Sequence, residues 1–446
     1  MKRPSDIQRA AKQDLDKKSG RNGRPTYTNS GNGDWASGSH DGRHKSKSTA
    51  RDGKSDISGD RSAAPSTELD TGQDTRTGKG SEVEPKSPAK FIEDGSTLKS
   101  SSNRQVYGAL DLGTNNCRLL VAKATRRGFL VVDAFSRIIR LGEGMSQTGI
   151  LSEEAMSRTI EALKMCSWKM HRRGVSRSRL IATEACRSAR NGPDFIERVR
   201  GETGLELEII TQETEARLAV SGCASLIDKK CEWSLVFDIG GGSSELIWLD
   251  LSRRQQNWSR SLSDRLDIQN CVVAWTSIPV GVVTLAEKFG GTNVDDNCYE
   301  AMVQDVMEPL QVFESRHNIA GKLNQGNAHF LGTSGTVTTL AGVHLKLPFY
   351  DRRRVDGTWL SDGDIRDVSR QLLSLDYERR VKQPCIGEER ADLVLAGCAI
   401  LEALIRTCPC DRLRVADRGL REGILTTLIA EDRLPGNGAQ ASASEH

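Results

Sequence analysis

The sequence predicts a duplicated α/β protein, two lobes facing one another across a cleft. Three observations support this. Strand-like and helix-like apolar periods alternate from about Gln105 onward. The device that opens the first half, Asp111-Leu-Gly-Thr-Asn-Asn-Cys-Arg, returns 127 residues later as Asp238-Ile-Gly-Gly-Gly-Ser-Ser-Glu. A chain of 446 residues, 37% hydrophobic and 28% charged, is long enough for two cores. The expected division is a disordered polar extension over 1–104, a first lobe over 105–226, a second over 227–433 whose closing helix can pack back on the first, and a flexible tail over 434–446.

The extension is read from composition. Residues 1–100 hold about eleven large apolar side chains among Ser, Gly, Asp and Lys, too few to offset chain entropy. Val106 to Asp111 and Cys117 to Ala124 then read as strands joined by a tight turn at Gly113-Thr114-Asn115-Asn116, with two further β runs at Phe129 to Phe135 and Ser136 to Leu141. Ser152 should cap a helix whose Met156, Ile160, Leu163, Cys166 and Met170 recur at helical spacing, and Gly174 should stop it. Next come a strand at Leu180 to Thr183, a helix from Pro193 to Thr203, a strand at Leu205 to Thr211 and a helix from Glu213 to about Leu226.

The second half opens with Ser234 to Ile239, turns at Gly240-Gly241-Gly242-Ser243 and returns through Glu245 to Leu249. Leu251 to Asn270 is polar and reads as a loop insertion. A helix from about Asp296 to His317, a strand at Ala328 to Leu331 and a third glycine loop, Gly332-Thr333-Ser334-Gly335, follow. Helices at about Asp362 to Leu375 and Glu388 to Arg406, a strand at Arg412 to Ala416 and a closing helix after Gly419 complete the second lobe.

Charge and cysteine usage exclude several classes. Residues 1–100 carry 19 Lys/Arg against 15 Asp/Glu, leaving 44 against 45 for the remainder, so no basic body announces a specific nucleic-acid partner. The eleven cysteines all lie between Cys117 and Cys410, several inside apolar runs, as expected of reduced thiols in a cytoplasmic protein. Cys408-Pro-Cys410 lacks a second pair and reads as structural. No apolar stretch approaches the ~20 residues of a membrane span, so no membrane partner is expected.

A strand ending in aspartate and followed by a glycine or hydroxyl-rich hairpin aims several backbone N–H groups at one point, which suits a phosphate. The aspartate at the strand end can reach a divalent cation or its waters. Two facing copies make the candidate phosphate contacts Gly113, Thr114, Asn115, Asn116, Gly240, Gly241, Gly242, Ser243 and Ser244, with Gly332, Ser334 and Gly335 in the third loop. Asp111 and Asp238 are the candidate metal ligands. The copies differ at their eighth residue, Arg118 in one and Glu245 in the other. Arg118 then meets an anion while Glu245 holds a metal ion or its water, unless the two form a structural ion pair with each other.

Six ordered motifs carry a resemblance: the two phosphate loops, Ala182-Thr-Glu-Ala-Cys-Arg187, Glu213-Thr-Glu-Ala-Arg217, Leu331-Gly-Thr-Ser-Gly-Thr336 and Asp417-Arg-Gly-Leu-Arg-Glu-Gly423. Over about Gln105 to Glu431 the chain resembles the exopolyphosphatase and guanosine pentaphosphate phosphatase (Ppx/GppA) family. The resemblance implies an actin-like, Hsp70-like ATPase fold (a duplicated ribonuclease H-like plan), dependence on Mg²⁺ or another divalent cation, and hydrolysis of a terminal phosphoanhydride. By position it implies that Glu215 is the catalytic base, Glu245 a second catalytic and metal-binding glutamate, and Arg187 a candidate clamp for substrate oxygens.

The expected substrate is polyphosphate or pppGpp, and a homodimer is admitted. Arg217 projects to another helical face and reads as structural, and Glu422 reads as a helix-start or interlobe contact. Arg352-Arg353-Arg354 reads either as a solvated loop or as an attractor of polyanions. The chain ends fifteen residues after Glu431, so the resemblance is to the short two-lobe form without a helical HD-like domain. The rival readings are a phosphohydrolase selective for pppGpp and a regulator that binds an alarmone or nucleotide on the same fold without turnover.

Overall fold

Val106–Leu112 (β1) and Asn116–Thr125 (β2) form the first hairpin, closed by the Gly113 N–H donating to the Asn116 carbonyl at 2.9 Å. The computed structural model describes residues 105–126, 128–254 and 266–433. The expected disordered extension over 1–104, the tail over 434–446 and most of the 251–270 insertion lie outside the described residues.

The first sheet runs in the order β3-β2-β1-β4-β5, with Gly128–Ile138 (β3), Arg177–Ala182 (β4) and Glu208–Ile209 (β5). β2 is antiparallel to β1 and β3, while β4 is parallel to β1 and β5. The two β runs expected on either side of Phe135-Ser136 are one strand, because no turn residue separates them. The chain leaves the sheet only at Ile139 and Arg140, whose N–H groups donate to the Asn115 carbonyl, and Arg140 takes a left-handed φ of 46° there. The strand expected at Leu205 to Thr211 shrinks to two residues. Leu205 and Leu207 are buried by packing rather than by pairing.

The second sheet repeats the plan. Trp233–Ile239 (β6), Ser244–Asp250 (β7), Val272–Ile278 (β8), Ala328–Thr333 (β9), Trp359–Leu360 (β10) and Leu413–Ala416 (β11) run in the order β10-β11-β9-β6-β7-β8. β8, β7, β6, β9 and β11 match β3, β2, β1, β4 and β5 in order and direction, with β10 added at the edge. The fold is therefore two mixed sheets with helices, built on one topology used twice. Sequence reasoning assigned nothing to β8 or to the helix Val282–Phe289.

The helix Glu153–Arg172 is capped as expected, with the Ser152 hydroxyl accepting from the Ala155 N–H at 3.2 Å. The helix expected over Glu388 to Arg406 is two helices, Glu388–Ala391 and Val394–Thr407. The interruption presents Asp392 to Arg140 of the first lobe in a bidentate pair at 2.7 and 3.0 Å.

The closing helix, Leu420–Glu431, packs on the first sheet through Leu420, Ile424, Leu425, Leu428 and Ile429. Arg177 ties its end by pairing with Glu431 and Asp432. It crosses the helix Gln212–Cys223 so closely that a Cβ at Gly423 would lie 2.0 Å from the Leu218 carbonyl oxygen. Gln212–Cys223 in turn gives Leu218 to the first core and Ala216, Val220 and Cys223 to a core against the second sheet. These two crossed helices join the lobes at the floor of the cleft.

Candidate active site

The 127-residue repeat becomes a structural one at the cleft. Asp111 lies across its hairpin from Arg118, and Asp238 lies across from Glu245. The two hairpins touch. A Cβ at Gly241 would lie 2.9 Å from Thr114 Cβ, and one at Gly242 would lie 2.9 Å from Thr114 Oγ1. The glycines are required by the opposite hairpin as much as by any ligand.

Between the lobes lies a cleft of about 650 Å³. Asp111, Gly113, Thr114, Asn115, Asn116 and Arg118 line it from the first hairpin, and Asp238, Gly240, Gly241, Gly242, Ser243 and Glu245 from the second. Ser334 and Gly335 line it from the third segment, which is not a loop. β9 runs through Gly332 to Thr333, and a helix, Ser334–His344, starts at once, with Ser334 at a left-handed φ of 80°. Gly332 is set back from the cleft. A Cβ there would lie 2.6 Å from Phe237 Cζ, so it is a packing glycine and not a phosphate contact.

Two further expectations are corrected. The Ser244 hydroxyl donates to the Val280 carbonyl at 2.7 Å and does not line the cleft. Arg187 does not line it either. Its guanidinium donates to Glu215 Oε2 at 3.1 Å, to Glu184 Oε2 at 2.6 Å and to the Ile210 carbonyl at 2.9 Å, so it holds carboxylates instead of substrate oxygens.

Glu215 reaches the cleft from the first turn of Gln212–Cys223, which Thr211 caps by accepting from the Thr214 N–H. Its neighbour Arg217 pairs outward with Glu213 at 2.9 Å, as the helical face predicted. Glu245 is buried and accepts from the Ser243 and Ser277 hydroxyls at 2.6 and 2.8 Å. Arg118 makes no ion pair among the described residues, so the two eighth residues are not partners. Of the arginine cluster, Arg352 is spent on Glu422 at 2.9 Å and Asp417 at 3.2 Å, and Glu422 caps the closing helix by accepting from the Gly419 N–H.

The electrostatics of the cleft are those of crowded carboxylates. Burial, Glu245 and Asp111 push the Asp238 carboxyl up to about 7. Burial and Glu245 push Glu215 well above the usual carboxylate range, with Arg187 opposing, and burial also raises Asp111 and Glu245. Such a cluster fits a divalent cation, which relieves the repulsion. The buried Asn115 Oδ1 has no hydrogen-bond partner among the described residues, which fits an oxygen-seeking ion or its water. Among the described residues no three His, Cys, Asp or Glu converge into a ready-made cage. A divalent cation here would complete its shell with waters and phosphate oxygens.

Sequence reasoning missed Ser277, Glu184 and Arg421. Ser277 lies on the unassigned β8 and carried no signal, whereas Glu184 and Arg421 stand inside quoted motifs.

The family model "Ppx/GppA phosphatase family" matches residues 120–431. "Exopolyphosphatase 2" of Mycobacterium tuberculosis is 27% identical over 337 residues, 72% of this chain and 97% of that protein. A "guanosine-5'-triphosphate,3'-diphosphate pyrophosphatase" of Pseudoalteromonas translucida is 24% identical over 75% of this chain, and a "bifunctional 3-dehydroquinate synthase/phosphatase" of Fusobacterium nucleatum 28% over 68%. The chain spans only 61% and 43% of those two proteins. The solved structure of the Aquifex aeolicus Ppx/GppA family member superimposes with a TM-score of 0.58 at 27% identity, covering 74% of this chain and 99% of that one. With a matched segment that runs from β2 of the first lobe to the closing helix, and a cleft built from the duplicated hairpins, the chain belongs to the Ppx/GppA phosphatase family.

Proposed function

We propose that the protein is an exopolyphosphatase, releasing orthophosphate from the end of inorganic polyphosphate in the presence of Mg²⁺ or another divalent cation. The observation that carries this reading is that Glu215, Glu245, Asp111 and Asp238 all line one cleft flanked by the two duplicated hairpins. A phosphohydrolase of the parent family needs that combination of anion cradle and crowded carboxylates.

In the reaction, water attacks the terminal phosphorus, the bridging P–O bond breaks, and the shortened polyphosphate leaves with the bond's electron pair. The residues divide the work. Asp111 and Asp238, with Glu245, would hold a divalent cation in part through its waters, and the cation when bound would offset phosphate charge and polarise the phosphoryl oxygens. Backbone N–H groups of the hairpins and the Arg118 guanidinium orient the phosphate. Glu215 takes a proton from the attacking water. Arg187 occupies Oε2 of Glu215, leaving Oε1 with no hydrogen bond among the described residues and open to water.

All eleven cysteines are free, and no described helix is long and apolar enough to cross a membrane. We read the protein as cytoplasmic on the cysteines. The name of the Pseudoalteromonas relative makes conversion of pppGpp to ppGpp the second reading for the same cleft. Phosphate release from long polyphosphate, short polyphosphate, pppGpp and ATP, with and without Mg²⁺, decides between them. Release from polyphosphate in Mg²⁺ supports the proposal. Release from pppGpp alone selects the second reading, and tight ppGpp binding with no release from any substrate selects a regulator.

A further inference from the structure

Arg421 stands in the first turn of the closing helix and lines the cleft, in a motif to which no chemistry has yet been assigned. Its surroundings are unusual for an arginine. The nearest acids of its own segment are already used. Glu422 caps Gly419 with one oxygen and pairs with Arg352 through the other, and Asp417 also pairs with Arg352. Arg421 itself makes no ion pair or hydrogen bond among the described residues, yet its nitrogens are not sealed from the cleft. Its charged neighbours are Asp111, Arg118, Glu422 and Arg352.

Arg118, whose side chain rises from β2 beside Asp111, is in the same condition. Two guanidiniums with no hydrogen-bonded carboxylate among the described residues, drawn into one cleft from distant parts of the chain, are offset only at longer range, by Asp111 and, for Arg421, Glu422. An anion with several oxygens would offset them directly, because each guanidinium presents a planar fork of donors. Burial lowers the Arg421 pKa, with Arg118 acting in the same direction, which agrees with a cation awaiting its counter-charge.

We propose that Arg421 is a substrate-binding residue, gripping with Arg118 a phosphate group of the polyanion beside Asp111, while the Arg187–Glu215 pair serves the attacking water. This rests on the proposed function and names a further contact in the same cleft. The closing helix thereby becomes part of the active site instead of a mere clasp. Its cap, held by Glu422 and Arg352, sets where the guanidinium points.

The test uses the full chain with Arg421→Gln and Arg421→Lys. Binding of inorganic tripolyphosphate is measured calorimetrically in EDTA, alongside kcat and KM for polyphosphate in Mg²⁺ and the thermal midpoint. Arg421→Gln should keep its midpoint within about 3 °C, bind tripolyphosphate at least ten-fold more weakly and show most of its loss in KM, with Arg421→Lys recovering part of the affinity. Wild-type affinity in Arg421→Gln overturns the inference. Should that variant not fold, Arg421→Lys decides, because an unchanged affinity there removes any role for the guanidinium fork. The proposed hydrolysis fails separately: wild-type protein that binds tripolyphosphate through Arg421 and releases no phosphate in Mg²⁺ overturns the activity and leaves this contact standing.

Discussion

Arg187 and Glu215, 28 residues apart in sequence, meet at 3.1 Å on the wall of the cleft, and Arg187 also holds Glu184 at 2.6 Å. Burial, Glu245, Asp111 and Asp238 raise the Glu215 pKa well above the usual carboxylate range, and the guanidinium opposes that shift. Glu215→Gln should therefore lower kcat by about 10²- to 10⁴-fold with little change in thermal midpoint. Unchanged turnover in that variant removes Glu215 from the role of base.

Arg187→Gln should act through Glu215. With the guanidinium gone, the Glu215 pKa rises further and the acid limb of the kcat profile moves to higher pH. Arg187→Lys should restore part of the shift, since it returns the charge but not the fork. A uniform loss of activity at every pH, with the limb in place, would show that Arg187 only supports the fold.

The carboxylate cluster should make the metal-free protein sensitive to alkali. Asp238 titrates near 7, above its ordinary 3.8, so its contribution to stability is complete below about 4 and lost as pH rises through about 7. In EDTA the thermal midpoint should fall between pH 6 and pH 8, and Mg²⁺ should raise it more at pH 8 than at pH 6. Asp238→Asn should raise the midpoint in EDTA at pH 8, shrink the Mg²⁺ effect and abolish turnover. A midpoint in EDTA that is flat across this range, with no response to Mg²⁺, contradicts a shared cation site.

The sequence disclosed the parts of the site that depend on local order. The offset between Asp111 and Asp238 carries directly into the strand register, because a hairpin's turn length sets which residues face each other, here Arg118 and Glu245. The helix capped by Ser152 was legible for the same reason. What was not legible depends on tertiary partners. Gly332 resembles a loop glycine in sequence, but packing against Phe237 makes it a strand residue. Arg187 looked like a substrate clamp until Glu184 and Glu215, brought together by separate helices, claimed its donors. Ser277 is one serine among many until β8 lays it beside Glu245.

His329 offers a stability test remote from the chemistry. It is buried in β9, its Nε2 accepts from the Asp228 N–H at 3.3 Å, and its Nδ1 has no partner among the described residues. Burial pushes its pKa down from 6.5 to about 4. The unfolded chain thus takes up a proton first on acidification, and the stability present above about 6.5 is lost as pH falls toward 4, by roughly 3 kcal/mol in all. Urea titrations at pH 7.5 and pH 5 should show a smaller acid loss in His329→Gln than in wild type. Equal losses would mean that His329 does not set the acid limb.

The crossing of the two floor helices predicts opposite outcomes for one chemical change. A methyl at Gly423 would fall 2.0 Å from the Leu218 carbonyl oxygen, and one at Gly222 would fall 1.8 Å from the Gly419 carbonyl oxygen, so the helices must part to admit either. Gly423→Ala should cost about 3 kcal/mol or more. Because the same helices carry Arg421 and Glu215, protein that still folds should also lose turnover. Gly201, on the exposed face of the helix Gly192–Thr203, has open space where a Cβ would go. There alanine should stabilise by roughly 0.5–1 kcal/mol and leave turnover unchanged. Denaturant midpoints and kcat for the two alanine variants test the pair together. If Gly423→Ala were as harmless as Gly201→Ala, the close crossing, and with it the placement of Arg421 and Glu215 on a shared floor, would be wrong.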